Sequence, residues 1–169
     1  MSGLAILSIA VLGKQGNPLF LESYSARRGG QADLKWHYAA HTALDFFDER
    51  GASLAARWSR LACTDSPAYK TTDSYLGMLY AMEDYAVYGY QTNTRVKFVL
   101  AIALADAVIR DIDVRTIFRA IHNAYIGQLS NPFAALDTDK VGGFDAPITN
   151  KRFAAAMATI AGQSAQGKP

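Results

Sequence analysis

Continuous and alternating runs of apolar residues predict five β-strands along the chain. The first run, from Leu4 to Leu12, is apolar on both alternating faces except for Ser8, which is typical of a central strand covered on both sides. Turn-forming residues follow it, and Pro18 then opens a second strand over 19–24, so the two form a hairpin. The other predicted strands cover 75–82, 85–91 and 95–103.

The spacing of apolar residues changes to a helical period in the next segment and predicts a first helix from Asp33 to about Arg50. Its buried stripe consists of Trp36, Ala40, Ala43, Leu44 and Phe47. We expect Gly51 to end this helix. Beyond it, the spacing over 54–61 fits a short amphipathic helix, whereas Pro67 and its polar neighbours favour a loop, and both interpretations stay open.

Two further helices are predicted in the C-terminal half. One begins at Asp111 or Asp113 and reaches about Leu129, and the other covers 151–161. Their apolar faces consist of Val114, Ile117, Phe118, Ile121, Tyr125 and Leu129 in the first and of Phe153, Met157 and Ile160 in the second.

The predicted order of elements is therefore β-β-α-β-β-β-α-α, which indicates one α/β (α+β) domain with a sheet between helical layers. In the strand over 95–103 the bulkier face should meet the main core; its residues are Val96, Phe98, Leu100 and Ile102. We expect a single domain over 1–161 and a flexible tail over 162–169.

Composition narrows the class of protein. Half of the 169 residues are hydrophobic, which excludes an intrinsically disordered chain. The net charge of +2 is too balanced to support a nucleic-acid-binding surface. The single cysteine, Cys63, cannot form an intramolecular disulfide. The apolar run over 4–12 is far shorter than the roughly 20 residues that span a bilayer, and no positive charge precedes it as in a signal peptide.

No motif of a catalytic or cofactor site is found. His37 and His41 have the i, i+4 spacing of a zinc site, but Tyr38 stands where a zinc protease needs a glutamate. Neither a phosphate-binding P-loop nor a dinucleotide-binding glycine loop occurs, and there is no Gly-x-Ser-x-Gly elbow. We therefore expect no catalytic residue, no cofactor, no metal and no small-molecule substrate.

Carboxylates and tyrosines form two other clusters. Asp45, Asp48 and Glu49 lie on one predicted helix, where neighbouring acids are typical of a solvated face. Two adjacent strands carry five tyrosines, most of which we expect to pack in the sheet with the hydroxyl at its margin. Because tyrosine is enriched in interfaces, an exposed part of this sheet would also suit docking.

Three segments resemble the sedlin family of TRAPP (trafficking protein particle) subunits. They are LKWHYAAHTALDFFDE over 34–49, the long stretch over 75–98 that includes EDYAVYGYQTNTRVKF, and IFRAIHNAY over 117–125 with Asn131-Pro132-Phe133 after it. The stretch over 75–98 is closest to the TRAPP subunit 2-like branch of the family. The chain departs from the family pattern in longer connections over 51–72 and 137–148 and in Met82, where the branch has a smaller polar residue.

The resemblance implies a longin/SNARE-like fold, with a five-stranded, antiparallel-rich sheet that has one helix on one face and two on the other. It also implies a non-catalytic subunit of a vesicle-tethering complex in ER–Golgi and Golgi transport. Its partners would be other TRAPP subunits, with a Rab-type GTPase reached indirectly because the assembled complex is the nucleotide-exchange factor. The expected location is cytoplasmic, with peripheral association to ER–Golgi and Golgi membranes through the complex and no nucleic-acid partner.

The same resemblance places the docking surface on the first helix, because Asp45 matches a characteristic Leu-Asp position of the family. The interface candidates are Lys35, His41, Asp45, Asp48 and Glu49. An alternative is another longin trafficking module, either a SNARE regulatory domain or an adaptor small subunit. We expect a SNARE to carry a heptad segment and an anchor after this domain, and neither follows here. A small enzyme is the third hypothesis.

Overall fold

The computed structural model describes residues 4–24, 30–61, 74–104, 109–131 and 147–162, with side chains of the first helix described over 34–50. The predictions for Cys63, for the loop around Pro67, for most of the 137–148 loop and for the tail after Gly162 lie outside the described residues. The elements are β1 (Ile6–Leu12), β2 (Pro18–Ser23), α1 (Gly30–Leu61), β3 (Tyr75–Ala81), β4 (Tyr85–Gln91), β5 (Lys97–Ala103), α2 (Asp111–Leu129) and α3 (Lys151–Ile160). This order confirms the predicted one.

The five strands form one sheet in the order β2-β1-β5-β4-β3, and every neighbouring pair is antiparallel. β1 lies between β2 and β5, as its two apolar faces predict. Ile9 and Val11 are fully buried on one of these faces, and Ala10 and Leu12 are buried on the other. The sheet therefore has helices over both of its faces.

The larger core lies between the sheet and the two C-terminal helices. The bulky face of β5 contributes Phe98, Leu100 and Ile102, Val96 just before the strand joins them, and the helices contribute Val114, Phe118, Ile121, Tyr125, Phe153 and Met157. This arrangement confirms the predicted direction of the β5 side chains. Leu129, which was expected inside, is 45% exposed. It is the last residue of α2, one turn beyond Tyr125, the last buried side chain of that helix.

The second core lies between α1 and the opposite face of the sheet. The predicted stripe of α1 is buried here, through Trp36, Ala40, Ala43 and Phe47 in particular. β4 presents Gly89 to this helix. A Cβ atom on Gly89 would lie 2.9 Å from Phe47 Cζ and 2.8 Å from Leu79 Cδ1. The missing side chain at this position lets α1 pack close to the sheet.

α1 is longer than the sequence predicts. It begins at Gly30, before the expected cap at Asp33, and its backbone continues through Gly51 to Leu61. The expectation that Gly51 ends the helix is therefore wrong, and the helical interpretation of 54–61 is confirmed. A glycine inside a helix costs only about 1 kcal/mol relative to alanine, so the helical hydrogen bonding on both sides can outweigh it.

The connection between β4 and β5 also differs from the prediction. Asn93 was expected to allow positive φ, but Arg95 takes that conformation, with φ of 65°. The Arg95 N–H donates to the Thr92 carbonyl at 2.9 Å, and the Val96 N–H donates to Thr92 Oγ1 at 3.0 Å. Because Thr92 organises the turn in this way, β5 begins at Lys97, two residues later than expected.

An aromatic cluster at the α2 face of the sheet surrounds His122. The His122 ring centroid lies 5.6 Å from that of Tyr90 and 5.7 Å from that of Phe98. The Tyr90 hydroxyl is 3.3 Å from His122 Nδ1. Burial among these rings disfavours the charged imidazolium and lowers the pKa of His122 below its ordinary value.

Gly89→Ala should lower the free energy of unfolding by about 1–3 kcal/mol, because the added methyl group overpacks Phe47 and Leu79. Denaturant unfolding would measure the change. Gly127→Ala is the matched control, since a Cβ at this α2 position meets no atom within 4 Å. The control should be stabilised by about 0.5–1 kcal/mol. A neutral Gly89→Ala variant would contradict the close packing of α1.

The folded protein should lose stability as the pH falls through and below 6.5, the ordinary pKa of histidine. The pKa of His122 is lower in the folded state, so the unfolded chain binds more protons in this range and acid favours unfolding. The contribution is fully present above pH 6.5. Unfolding free energies of wild type and His122→Gln would be compared from pH 8 to pH 5. If the unfolding free energies of the two proteins changed with pH in the same way, His122 would not be the source of the acid sensitivity.

Candidate functional site

The outward face of α1 holds all five interface candidates. Lys35, His41, Asp45, Asp48 and Glu49 are exposed, as are Leu34, Tyr38 and Thr42 between them. The buried stripe through Trp36 and Phe47 forces this arrangement, because a helix with one face on the sheet must turn the opposite face outward. The candidates extend over 15 residues, or about 21 Å of helix, and do not converge on one point.

Lys35 lies at the β4 side of α1, where it contacts aromatic rings. Its Nζ is 4.5 Å from the centroid of Tyr85 and 5.4 Å from that of Trp36. An ammonium over an aromatic face is attracted to the negative side of the ring. Lys35 is therefore held near the sheet margin while its side chain stays exposed.

Asp48 lies on the other flank of α1 and pairs with a lysine of the sheet. Its carboxylate is 3.6 Å from Lys97 Nζ, and the Lys97 side chain is 10% exposed while that of Asp48 is 80% exposed. Lys97 Nζ also lies 5.8 Å from the centre of the Phe47 ring. Of the five candidates, Asp48 thus has a clear role within the fold, because it neutralises a mostly buried cation.

Arg50 connects α1 to the edge strand β3. Its guanidinium donates to the carbonyl oxygens of Leu76 and Met78, the latter at 2.8 Å. Edge strands with free backbone groups invite pairing with other chains, and a bound guanidinium occupies such groups. Arg50 therefore both anchors α1 and covers part of the β3 edge.

A groove of about 490 Å³ lies between the first half of α1 and the β3–β4 turn. We call it the α1–β3 groove, and its lining includes Leu34, Tyr38, Thr42, Tyr80, Met82 and Tyr85. Three of these side chains are large, apolar and strongly exposed: Leu34 at 52%, Tyr38 at 66% and Met82 at 53%. A contiguous exposed apolar patch of this kind is typical of an interaction surface.

Tyr80 fixes the floor of the groove. Its hydroxyl donates to the Ala39 carbonyl at 2.9 Å, and its ring stacks on Phe46 with centroids 5.3 Å apart. Burial, reinforced by nearby Tyr85, raises the pKa of Tyr80 to about 12. The hydroxyl therefore stays protonated near neutral pH and keeps this bond to the helix.

Leu34 and Tyr38 are site residues that were not predicted from the sequence. Both side chains lie outside the buried stripe of α1. Because they are four residues apart, they share one exposed face of the helix, and this spacing was the signal in the sequence that could have indicated them. Met82 had been recognised only as a departure from the family pattern. The five tyrosines of β3 and β4 are buried or half-buried, which confirms their predicted packing role. They are Tyr75, Tyr80, Tyr85, Tyr88 and Tyr90.

Neither a metal centre nor a membrane span is found in the part of the chain that the structure describes. His37 and His41 are both exposed on α1. Across the described residues, no three His, Cys, Asp or Glu side chains are grouped so as to hold a metal ion. Within the same ranges, no helix has the length and apolar character needed to cross a bilayer.

A five-stranded antiparallel sheet with one helix on one face and two on the other defines a longin-like domain. Comparison with known families agrees with this class, because the sedlin family model matches residues 11–163. The chain belongs to the sedlin family.

Individual relatives point to one branch of this family. The chain is 38% identical over 125 residues to the trafficking protein particle complex subunit 2-like protein of Mus musculus, covering 74% of this chain and 80% of the relative. It is 36% identical over 128 residues to the protein of the same name from Dictyostelium discoideum, covering 76% and 81%. The suspected sedlin-like resemblance is therefore confirmed.

Asp48→Asn should lower the free energy of unfolding by up to about 1 kcal/mol, because Lys97 loses the carboxylate that pairs with it. Chemical unfolding would measure the change. Asp45→Asn is the matched control, since it removes an equal charge from the same helix without an ion pair among the described side chains. Equal destabilisation by both variants would contradict the distinct role of Asp48.

Proposed function

We propose that this chain is a non-catalytic subunit of a TRAPP-type vesicle-tethering complex and that it acts by docking onto other subunits. One observation carries the proposal: exposed apolar side chains of the α1–β3 groove adjoin exposed charged side chains on the same helix. Membership of the sedlin family and the names of the relatives support it.

The docking surface would be the outward face of α1. Burial of an apolar patch supplies most of the binding free energy in such an interface, and charges at its rim select the partner. Lys35, His41, Asp45 and Glu49 would form this rim. Asp48 would contribute at the far flank, where its pairing with Lys97 fixes its position.

The proposed activity belongs to the assembled complex. The chain would stabilise an assembly that promotes nucleotide exchange on a Rab-type GTPase during ER–Golgi and Golgi transport. It would contact the GTPase only indirectly and reach the membrane as part of the complex. The arrangement of α1 favours this role over that of an enzyme, because its charged side chains are spread along the helix and do not converge on a reaction centre.

Asp45→Tyr should leave the domain folded and weaken its binding to partner subunits about tenfold or more, because a charge at the interface is replaced by a bulky ring. Asp45 is exposed, so the fold does not depend on it. Co-purification of TRAPP subunits with the tagged chain would measure assembly, and thermal unfolding would check the fold.

Two variants serve as controls for this experiment. Asp45→Asn keeps the size and removes the charge, and it should have an intermediate effect. Asn123→Tyr places the same ring on the exposed surface of α2 and should co-purify as wild type does. Unchanged recovery of partner subunits with Asp45→Tyr would count against the docking role of α1.

A further inference from the structure

Two pairs of exposed acidic side chains lie near the α1–β3 groove. Glu83 and Asp84, both exposed, lie in the turn between Met82 and Tyr85, two residues that line the groove. Asp45 and Glu49 follow Thr42, another lining residue, by about one and two turns of α1. One acidic pair thus lies in the turn beside the groove, and the other lies beyond Thr42 on the exposed face of α1.

These acids are available to a partner. Neither Asp45, Glu49 nor Glu83 forms an ion pair with any described side chain. Among the described residues that line the groove, Lys35 is the one basic side chain, and its ammonium already lies against Tyr85. The charge that complements this surface is positive, at both ends of an apolar centre.

The β3 edge favours a helical occupant over a strand. Arg50 occupies the carbonyls of Leu76 and Met78, so an extended peptide cannot use them to continue the sheet along this stretch. A helix needs no backbone bonds from the groove and buries one apolar face in it. From Leu34 to Glu49 the surface is about 22 Å long, which matches about 15 helical residues.

We propose that the α1–β3 groove binds an amphipathic helix of a partner subunit, with Leu-type residues on its inner face and Lys or Arg at both ends. The inference rests on the proposed docking role of α1 and specifies the partner's chemistry. The apolar side chains would cover Leu34, Tyr38 and Met82, and the basic ends would meet the two acidic pairs.

The test uses the full chain and two synthetic helical peptides of 18 residues. Both peptides carry Leu at i, i+3, i+4 and i+7, one with Lys at both ends and the other with Glu. Fluorescence anisotropy should show binding of the Lys-ended peptide, with the Glu-ended peptide at least about tenfold weaker. Because the chain has a net charge of +2, overall attraction would favour the opposite order. No binding, or equal binding, would overturn the proposal.

Variants of the chain locate the binding site. Tyr38→Ser and the double variant Asp45→Lys/Glu49→Lys should each weaken binding of the Lys-ended peptide about tenfold. Ile126→Ser is the matched control, since Ile126 is a 47% exposed apolar residue of α2, on the opposite side of the sheet. Its binding should equal that of wild type. If Ile126→Ser weakened peptide binding as much as Tyr38→Ser, the groove would not be the binding site.

Sedimentation of the chain alone tests whether a second copy fills the groove. Self-association that Tyr38→Ser abolishes would overturn the proposal, whereas a monomer at the peptide-binding concentration supports it. Failure of the helical-ligand proposal can be told apart from failure of the proposed function. Weakened assembly of Asp45→Tyr without peptide binding would reject only the helical ligand, and peptide binding by a chain that recovers no TRAPP subunit would reject the tethering role.

Discussion

The close contact between α1 and the sheet at Gly89 determines where the candidate interface lies. Phe47 and Leu79 occupy the space that any side chain at position 89 would need, so the helix packs directly on β4. The alanines of the α1 stripe suit the same short distance. Because this face of α1 is buried, the charged and apolar residues on its opposite face are exposed to solvent.

The two faces of the sheet carry different kinds of structure. The α2 and α3 side is an extended apolar core with an aromatic cluster around His122. On the α1 side fewer of the described residues form the buried core, and the ammonium groups of Lys35 and Lys97 lie over the rings of Tyr85 and Phe47. The larger buried core thus lies on the α2 and α3 side, while the α1 side combines packing with an exposed, charged surface suited to recognition.

Both edges of the sheet are partly covered. On β2 the Leu19 carbonyl accepts from the Ile148 N–H at 2.7 Å, and on β3 Arg50 binds the carbonyls of Leu76 and Met78. Such contacts limit unspecific strand pairing. Under the proposed docking role, recognition would then depend on the side chains of the outward α1 face and not on backbone groups that can pair with any strand.

The amino-acid sequence alone determined the order of elements and the inward residues of β1, β5 and α1, because burial imposes periods of two in strands and 3.6 in helices. It also predicted that Asp45, Asp48 and Glu49 lie on the solvent-exposed face of the first helix. Tertiary structure decided what local signals cannot: that α1 continues through Gly51, that Arg95 and not Asn93 has positive φ, and that Asp48 pairs with Lys97. The α1–β3 groove is likewise decided by the tertiary structure. Tyr38 and Met82, which line it, are 44 residues apart in the sequence and become neighbours only when α1 packs on the sheet.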